Sequence, residues 1–150
     1  MKRLTGLLLV LALVFTLSAA LADRQPCETG GFSVKLPDHF VEEPGYYGSD
    51  LCFYWHGTRL TVLAYVSYQG EVSETFEVLT GDETASGTVR INGMKMLYTR
   101  SESSGNVSIT YTWMDRGNSV TMEFTYSADD PSVENTVNSI INSIRFDAGH

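Results

Sequence analysis

The segment from Gly87 to Tyr126 constrains the fold most, because it alternates apolar and polar residues strand after strand and breaks only at turn-forming clusters. Thr88-Val89-Arg90-Ile91 and Met94-Lys95-Met96-Leu97 flank Asn92-Gly93, the strongest short hairpin signal, since both residues of a type I′ turn need positive φ. A two-residue turn there sets Ile91 opposite Met94 and Val89 opposite Met96, with Arg90 and Lys95 together on the other side. Ser103 to Asn106, which includes Gly105, and Asp115-Arg116-Gly117-Asn118 supply two further turns around Val107, Ile109, Tyr111 and Trp113. The second of these turns pairs Trp113 with Val120, Tyr111 with Met122, Ile109 with Phe124, and Val107 with Tyr126. A four-strand antiparallel meander with one apolar face follows. Its reverse face carries Arg90, Lys95, Thr99, Ser108, Thr110, Thr112, Thr121, Glu123 and Thr125. A solvated face of good β formers explains that set with fewer assumptions than a docking surface.

The apolar face needs a cover. After Asp129-Asp130-Pro131, Val133, Val137, Ile140, Ile141 and Ile144 recur at helical spacing, with Asn135, Asn138, Ser139 and Asn142 on the other side. Asp130 is placed to cap this helix and Pro131 to open its first turn. Upstream, Phe32 to Leu36 alternates and stops at Pro37. Leu51 to Trp55 and Leu60 to Tyr68 read as strands joined through His56-Gly57-Thr58-Arg59. Val72, Phe76 and Leu79 predict a short mid-chain helix. The expected fold class is α+β: an antiparallel sheet of about six strands, with the C-terminal amphipathic helix and the short mid-chain helix packed on it.

Residues 1–22 read as a secretory signal. Lys2 and Arg3 precede the apolar run Leu7 to Leu17, and Ala20-Leu21-Ala22 is a small-x-small cleavage pattern. The run is too short for a membrane span, which needs about 20 apolar residues. The expected organisation is a signal peptide over 1–22, cleaved after Ala22, and a single domain over 23–150 that works in the envelope or outside the cell. Export makes a Cys27–Cys52 disulfide the expected state of the two cysteines. On the chain-entropy account it would add roughly 3 to 4 kcal/mol. A lipid-modified Cys27 fits poorly, because Arg24-Gln25-Pro26 is not the small apolar run that such processing uses. The formal net charge of −8 becomes more negative still once Lys2 and Arg3 leave, which argues against a nucleic-acid or anionic-membrane partner.

Chemistry-bearing candidates are few. Asp38-His39 with Glu42, Glu43 and His56 is the sharpest catalytic grouping, an acid/base pair or ligand set for a small hydrolase, but no HExxH or related motif accompanies it. The serines lack a GxSxG elbow. Asp129, Asp130 and Glu134 do not have EF-hand spacing. The sequence therefore calls for no catalytic set, cofactor or metal. Phe53-Tyr54-Trp55 with Tyr46 and Tyr47 suggests an aromatic binding area for a glycan, peptide or envelope protein, although strand alternation sends part of it to the core. Asn106-Val107-Ser108 is an N-glycosylation acceptor pattern.

Three stretches carry a resemblance: Phe32 to Pro37 as an opening strand ending in Leu-Pro, Ile91-Asn92-Gly93 mid-chain, and Asn138-Ser139-Ile140-Ile141-Asn142-Ser143-Ile144-Arg145-Phe146 at the close. The chain resembles the PsbP-like superfamily of small secreted α/β domains. Its members include lumenal extrinsic proteins of photosystem II, a Ran-binding nuclear import factor and bacterial envelope proteins. The resemblance implies an antiparallel sheet with helices against it, and an accessory or binding role rather than catalysis. The partner it implies is another envelope or extracellular protein, or a small ligand. It carries over no functional residue.

Overall fold

The computed structural model describes residues 23–44, 49–67 and 85–148. The signal segment, Tyr46, Tyr47 and the mid-chain helix expected over Val72 to Leu79 lie outside them.

The alternating segment forms the sheet its pattern predicts. Strands β1 (Arg24–Cys27), β2 (Phe32–Lys35), β3 (Val41–Glu42), β4 (Leu51–Trp55), β5 (Leu60–Ser67), β6 (Ala85–Ile91), β7 (Met94–Ser103), β8 (Asn106–Asp115), β9 (Asn118–Ser127) and β10 (Arg145–Phe146) are described, with one helix, α1 (Val133–Asn142). β6 to β9 form the meander in the expected register, including Ile91 opposite Met94, Trp113 opposite Val120 and Ile109 opposite Phe124. Each of its three two-residue turns has positive φ at both central positions: Asn92 and Gly93, Ser104 and Gly105, Arg116 and Gly117. This is the type I′ geometry whose twist matches the flanking strands.

Two features exceed the expectation of one sheet of about six strands. β5 pairs with β9, so the large sheet has seven strands in the order β3-β4-β5-β9-β8-β7-β6. β2 joins a separate three-stranded sheet, β1-β2-β10. β3 and β10 are hidden because two residues carry no readable period. Pro26, which cannot donate to a ladder, disguises β1, tolerated because β1 is an edge strand.

The core lies between the sheets and the helix. Leu51, Phe53, Leu60, Val62, Val107, Ile109, Trp113, Met122 and Phe124 of the large sheet form one buried cluster with Phe32 and Val34 of β2 and with Val133, Val137, Ile140 and Ile141 of α1. Trp113 is 1 % exposed and is met edge-on by Phe32 at 5.2 Å and by Phe146 at 5.8 Å between ring centroids.

Local chemistry sets the helix ends. Asp130 Oδ1 accepts from the backbone N–H of Ser132 at 3.3 Å and from its hydroxyl, so it shapes a tight turn over Pro131 and Ser132 before regular helix starts at Val133. The expected cap therefore acts two residues before the N-cap position, Ser132, which makes no side-chain capping bond. At the other end, Asn92 of the β6–β7 turn donates through Nδ2 to the carbonyls of Asn142 (3.2 Å) and Ile144 (2.7 Å). Arg24 donates to the carbonyl of Ser143 at 3.0 Å. The carbonyls left over at the helix terminus are thus satisfied by side chains from two other elements.

The reverse face of the meander is solvated in part, with Arg90 and Lys95 exposed, and departs from the expectation at four threonines. Thr99, Thr110, Thr112 and Thr121 are all buried. Their hydroxyls pair across strands, Thr99 with Thr110 and Thr112 with Thr121, so the polar atoms are satisfied without water.

Candidate functional site

Beside that threonine patch, the reverse face of β4, β5 and β9 forms a groove of about 480 Å³. Strand registers build its floor. Cys52 stands opposite Leu63, which stands opposite Glu123, and Tyr54 stands opposite Thr61, which stands opposite Thr125. Glu43 and Pro44 after β3, and His56 from the β4–β5 turn, make the rim. The floor sets the apolar Cys52, Leu63 and Tyr54 ring beside Thr61, Thr125 and Glu123, so apolar contact and a few polar groups converge as in a recognition site.

Glu123 is the electrostatic anchor of this face. Its carboxylate accepts from Tyr65 Oη (3.3 Å), Ser108 Oγ (3.3 Å) and Thr125 Oγ1 (3.2 Å), and so ties β5, β8 and β9 together. Burial, with the Glu123 charge and hydrogen bond adding to it, pushes the Tyr65 hydroxyl up to about 12. Burial does the same to Tyr111 on the core side, also to about 12, with Tyr98 and Glu134 contributing. A phenol held protonated above its ordinary value of about 10 stabilises the folded state fully below that pH. The stabilisation is lost as pH rises toward 12. A titration of the native protein followed by phenolate absorbance should therefore show a subset of the eight tyrosines resisting ionisation until the pH approaches 12, with stability falling across the same window. All eight ionising together near pH 10 with the fold intact would contradict this.

The catalytic grouping expected from sequence is split by strand alternation. Trp55 faces the core side of β4 and Tyr54 the groove. His39 packs on Trp55 with ring centroids 5.3 Å apart, whereas His56 packs edge-on against Tyr54 at 4.6 Å. The two histidines thus serve opposite faces. His56 does meet Glu43, its Nε2 lying 4.0 Å from Oε1, in an exposed pair at the rim. Asp38 and Glu42 are exposed and outside the groove lining. Among the described residues no three His, Cys, Asp or Glu side chains are grouped to hold a metal ion.

The same alternation separates the cysteines. Cys27 belongs to the core cluster, while Cys52 lines the groove on the far side of the large sheet, and no disulfide joins them in the structure. Burial pushes the Cys27 thiol up, a Gly30 backbone hydrogen bond opposes the shift, and the Asp50 charge adds to it. Of the aromatic area expected from Phe53, Tyr54 and Trp55, Tyr54 alone lines the groove; Phe53 is in the core and Trp55 packs at its margin. Asn106 is exposed at a turn, where an acceptor asparagine is accessible. Leu63 and Thr61 carry no sequence signal as site residues, because the residue pattern makes β5 only a neighbour of β4. Glu123 falls on the reverse face by alternation, but its role depends on the non-local β5–β9 pairing.

No protein-family model matches the chain, and no curated protein sequence matches it. Solved structures do. The chain is similar to cyanobacterial PsbP (CyanoP) of Synechocystis, at 12% identity and a TM-score of 0.60, over 83% of this chain and 91% of that one. It is similar to a protein of Bacteroides thetaiotaomicron at 16% identity and a TM-score of 0.54, over 79% of this chain and 46% of that one. It is also similar to LpqN, involved in cell envelope biogenesis of Mycobacterium tuberculosis, at 10% identity and a TM-score of 0.53, over 77% of this chain and 83% of that one. The chain has a PsbP-like fold.

Proposed function

We propose that residues 23–150 form an extracytoplasmic, noncatalytic accessory domain, released from the signal segment 1–22, that docks another envelope protein through the groove of β4, β5 and β9. The observation that carries this reading is the groove itself, with Cys52, Leu63 and the Tyr54 ring beside Glu123 on its floor and Glu43 on its rim. Such a lining suits a partner segment that inserts an apolar side chain and presents a basic one to Glu43 and Glu123. The likeness to LpqN, a protein of envelope biogenesis, supports the setting, and the likeness to cyanobacterial PsbP supports the fold. No helix of the described residues is long and apolar enough to cross a membrane, consistent with docking on a partner.

The test compares the native protein with Tyr54→Ala and Leu63→Glu in capture from the native envelope fraction, alongside a hydrolase screen. The expected result is a discrete partner recovered by the native chain and depleted at least about tenfold with each variant. No turnover should be detected. Turnover abolished by His56→Ala, or recovery that the groove variants leave unchanged, would overturn the proposal.

A further inference from the structure

The outward face of the small sheet concentrates positive charge on a strongly acidic chain. Arg24 on β1 stands directly opposite Lys35 on β2, and Arg145 on β10 stands opposite Ser33, two residues from Lys35 on the same face. Like charges opposite one another in an antiparallel pair are destabilising unless something neutralises them. These residues line a cleft of about 670 Å³ with Asn92, Asn142 and Ser143 at its wall, and among the described residues no acidic side chain lines it. None of the three ion pairs among the described residues uses Arg24, Lys35 or Arg145.

The cleft is also partly organised. The Arg24 side chain lies across β2, and its Nη1 donates to the Ser33 carbonyl (3.0 Å), the Ser33 hydroxyl (3.4 Å) and the Ser143 carbonyl (3.0 Å). Nε and Nη2 take no part in those bonds. The backbone N–H of Lys35 donates to Ser143 Oγ at 2.8 Å, fixing β2 against the end of α1. Burial, and then the neighbouring Arg145 charge, hold the Arg24 guanidinium below its ordinary value. The helix C-terminus accounts for Arg24 as a cap and its dipole favours cations nearby, but no carboxylate among the described residues forms an ion pair with Lys35 or Arg145.

We propose that this cleft binds a phosphate-type oxyanion carrying two or more negative charges, held between the free edge of the Arg24 guanidinium, the Arg145 guanidinium and the Lys35 ammonium. A single carboxylate would leave two of the three positive charges without a counterion, whereas a phosphate monoester answers up to two of them and a pyrophosphate group all three. This site lies outside the groove of β4, β5 and β9, and its existence does not depend on that groove having a partner.

Calorimetric titration of the purified protein with pyrophosphate at low ionic strength tests it, with phosphatidic acid and phosphatidylcholine vesicles as a second arm. Lys35 and Arg145 are exposed, so Lys35→Ala and Arg145→Ala keep the fold, and an unchanged melting temperature verifies that. Saturable binding of pyrophosphate, or of the anionic vesicles alone, weakened at least about tenfold by each variant and unaffected by Lys95→Ala on the far face, supports the site. Pyrophosphate binding identifies a soluble phosphate group as a ligand, and vesicle binding alone a lipid headgroup. Absence of saturation in both arms, or saturation that Lys35→Ala and Arg145→Ala leave unchanged, overturns it.

Discussion

Trp113→Ala is expected to lower the unfolding free energy by about 3–5 kcal/mol, the largest effect of any single truncation in this core. The indole joins the large sheet to the small one, since Phe32 of β2 and Phe146 of β10 both pack edge-on against it. Removing it opens a cavity at the junction that the β-sheets, fixed by their ladders, cannot close. Because a domain of this size holds about 5–15 kcal/mol in total, the variant should melt far lower or fail to accumulate. Trp113→Phe separates packing from polarity. Nε1 of Trp113 is buried with no hydrogen-bond partner, so phenylalanine keeps most of the ring contact while removing an unsatisfied donor. Chemical denaturation should place Trp113→Phe within about 1.5 kcal/mol of the native chain. Equal losses in the two variants would contradict the packing account.

Asn92→Ala is expected to cost about 2–3 kcal/mol, although Asn92 is exposed and sits in a two-residue turn. Two independent losses add. Asn92 has φ of 49°, where alanine is disfavoured, and its Nδ2 satisfies the carbonyls of Asn142 and Ile144 at the end of α1. Asn92→Gly keeps the turn and loses only the capping bonds, so it should recover about 1 kcal/mol of the deficit. Denaturation of both variants checks the partition, and an alanine variant as stable as the native chain would contradict it.

Asn92 also marks how far the order of residues alone reaches. Asn-Gly between alternating runs announces the β6–β7 hairpin, and the registers of β6 to β9 follow from turn length and alternation, because every pairing there is between sequence neighbours. The helix is legible from Val133, Val137, Ile140 and Ile141 for the same reason. The second role of Asn92 is not legible, since it depends on α1 returning 50 residues later to lie beside that turn. The groove follows the same divide. Tyr54 and Thr61 face each other across a local hairpin, but Glu123 joins them only through the distant β5–β9 ladder. The Cys27–Cys52 expectation rests on compartment and cysteine count, and neither carries information about which face of a strand a thiol occupies. The reverse-face threonines look solvated because their type is polar, yet in pairs they satisfy one another and can be buried.

The most direct test of the proposed role is photo-crosslinking in the native envelope from a photoreactive phenylalanine placed at position 56, on the groove rim. The same residue at position 135, on the exposed face of α1, serves as the comparison. The account predicts a discrete protein adduct from position 56 that position 135 does not give. No discrete adduct from position 56, or the same adducts from both positions, would contradict it.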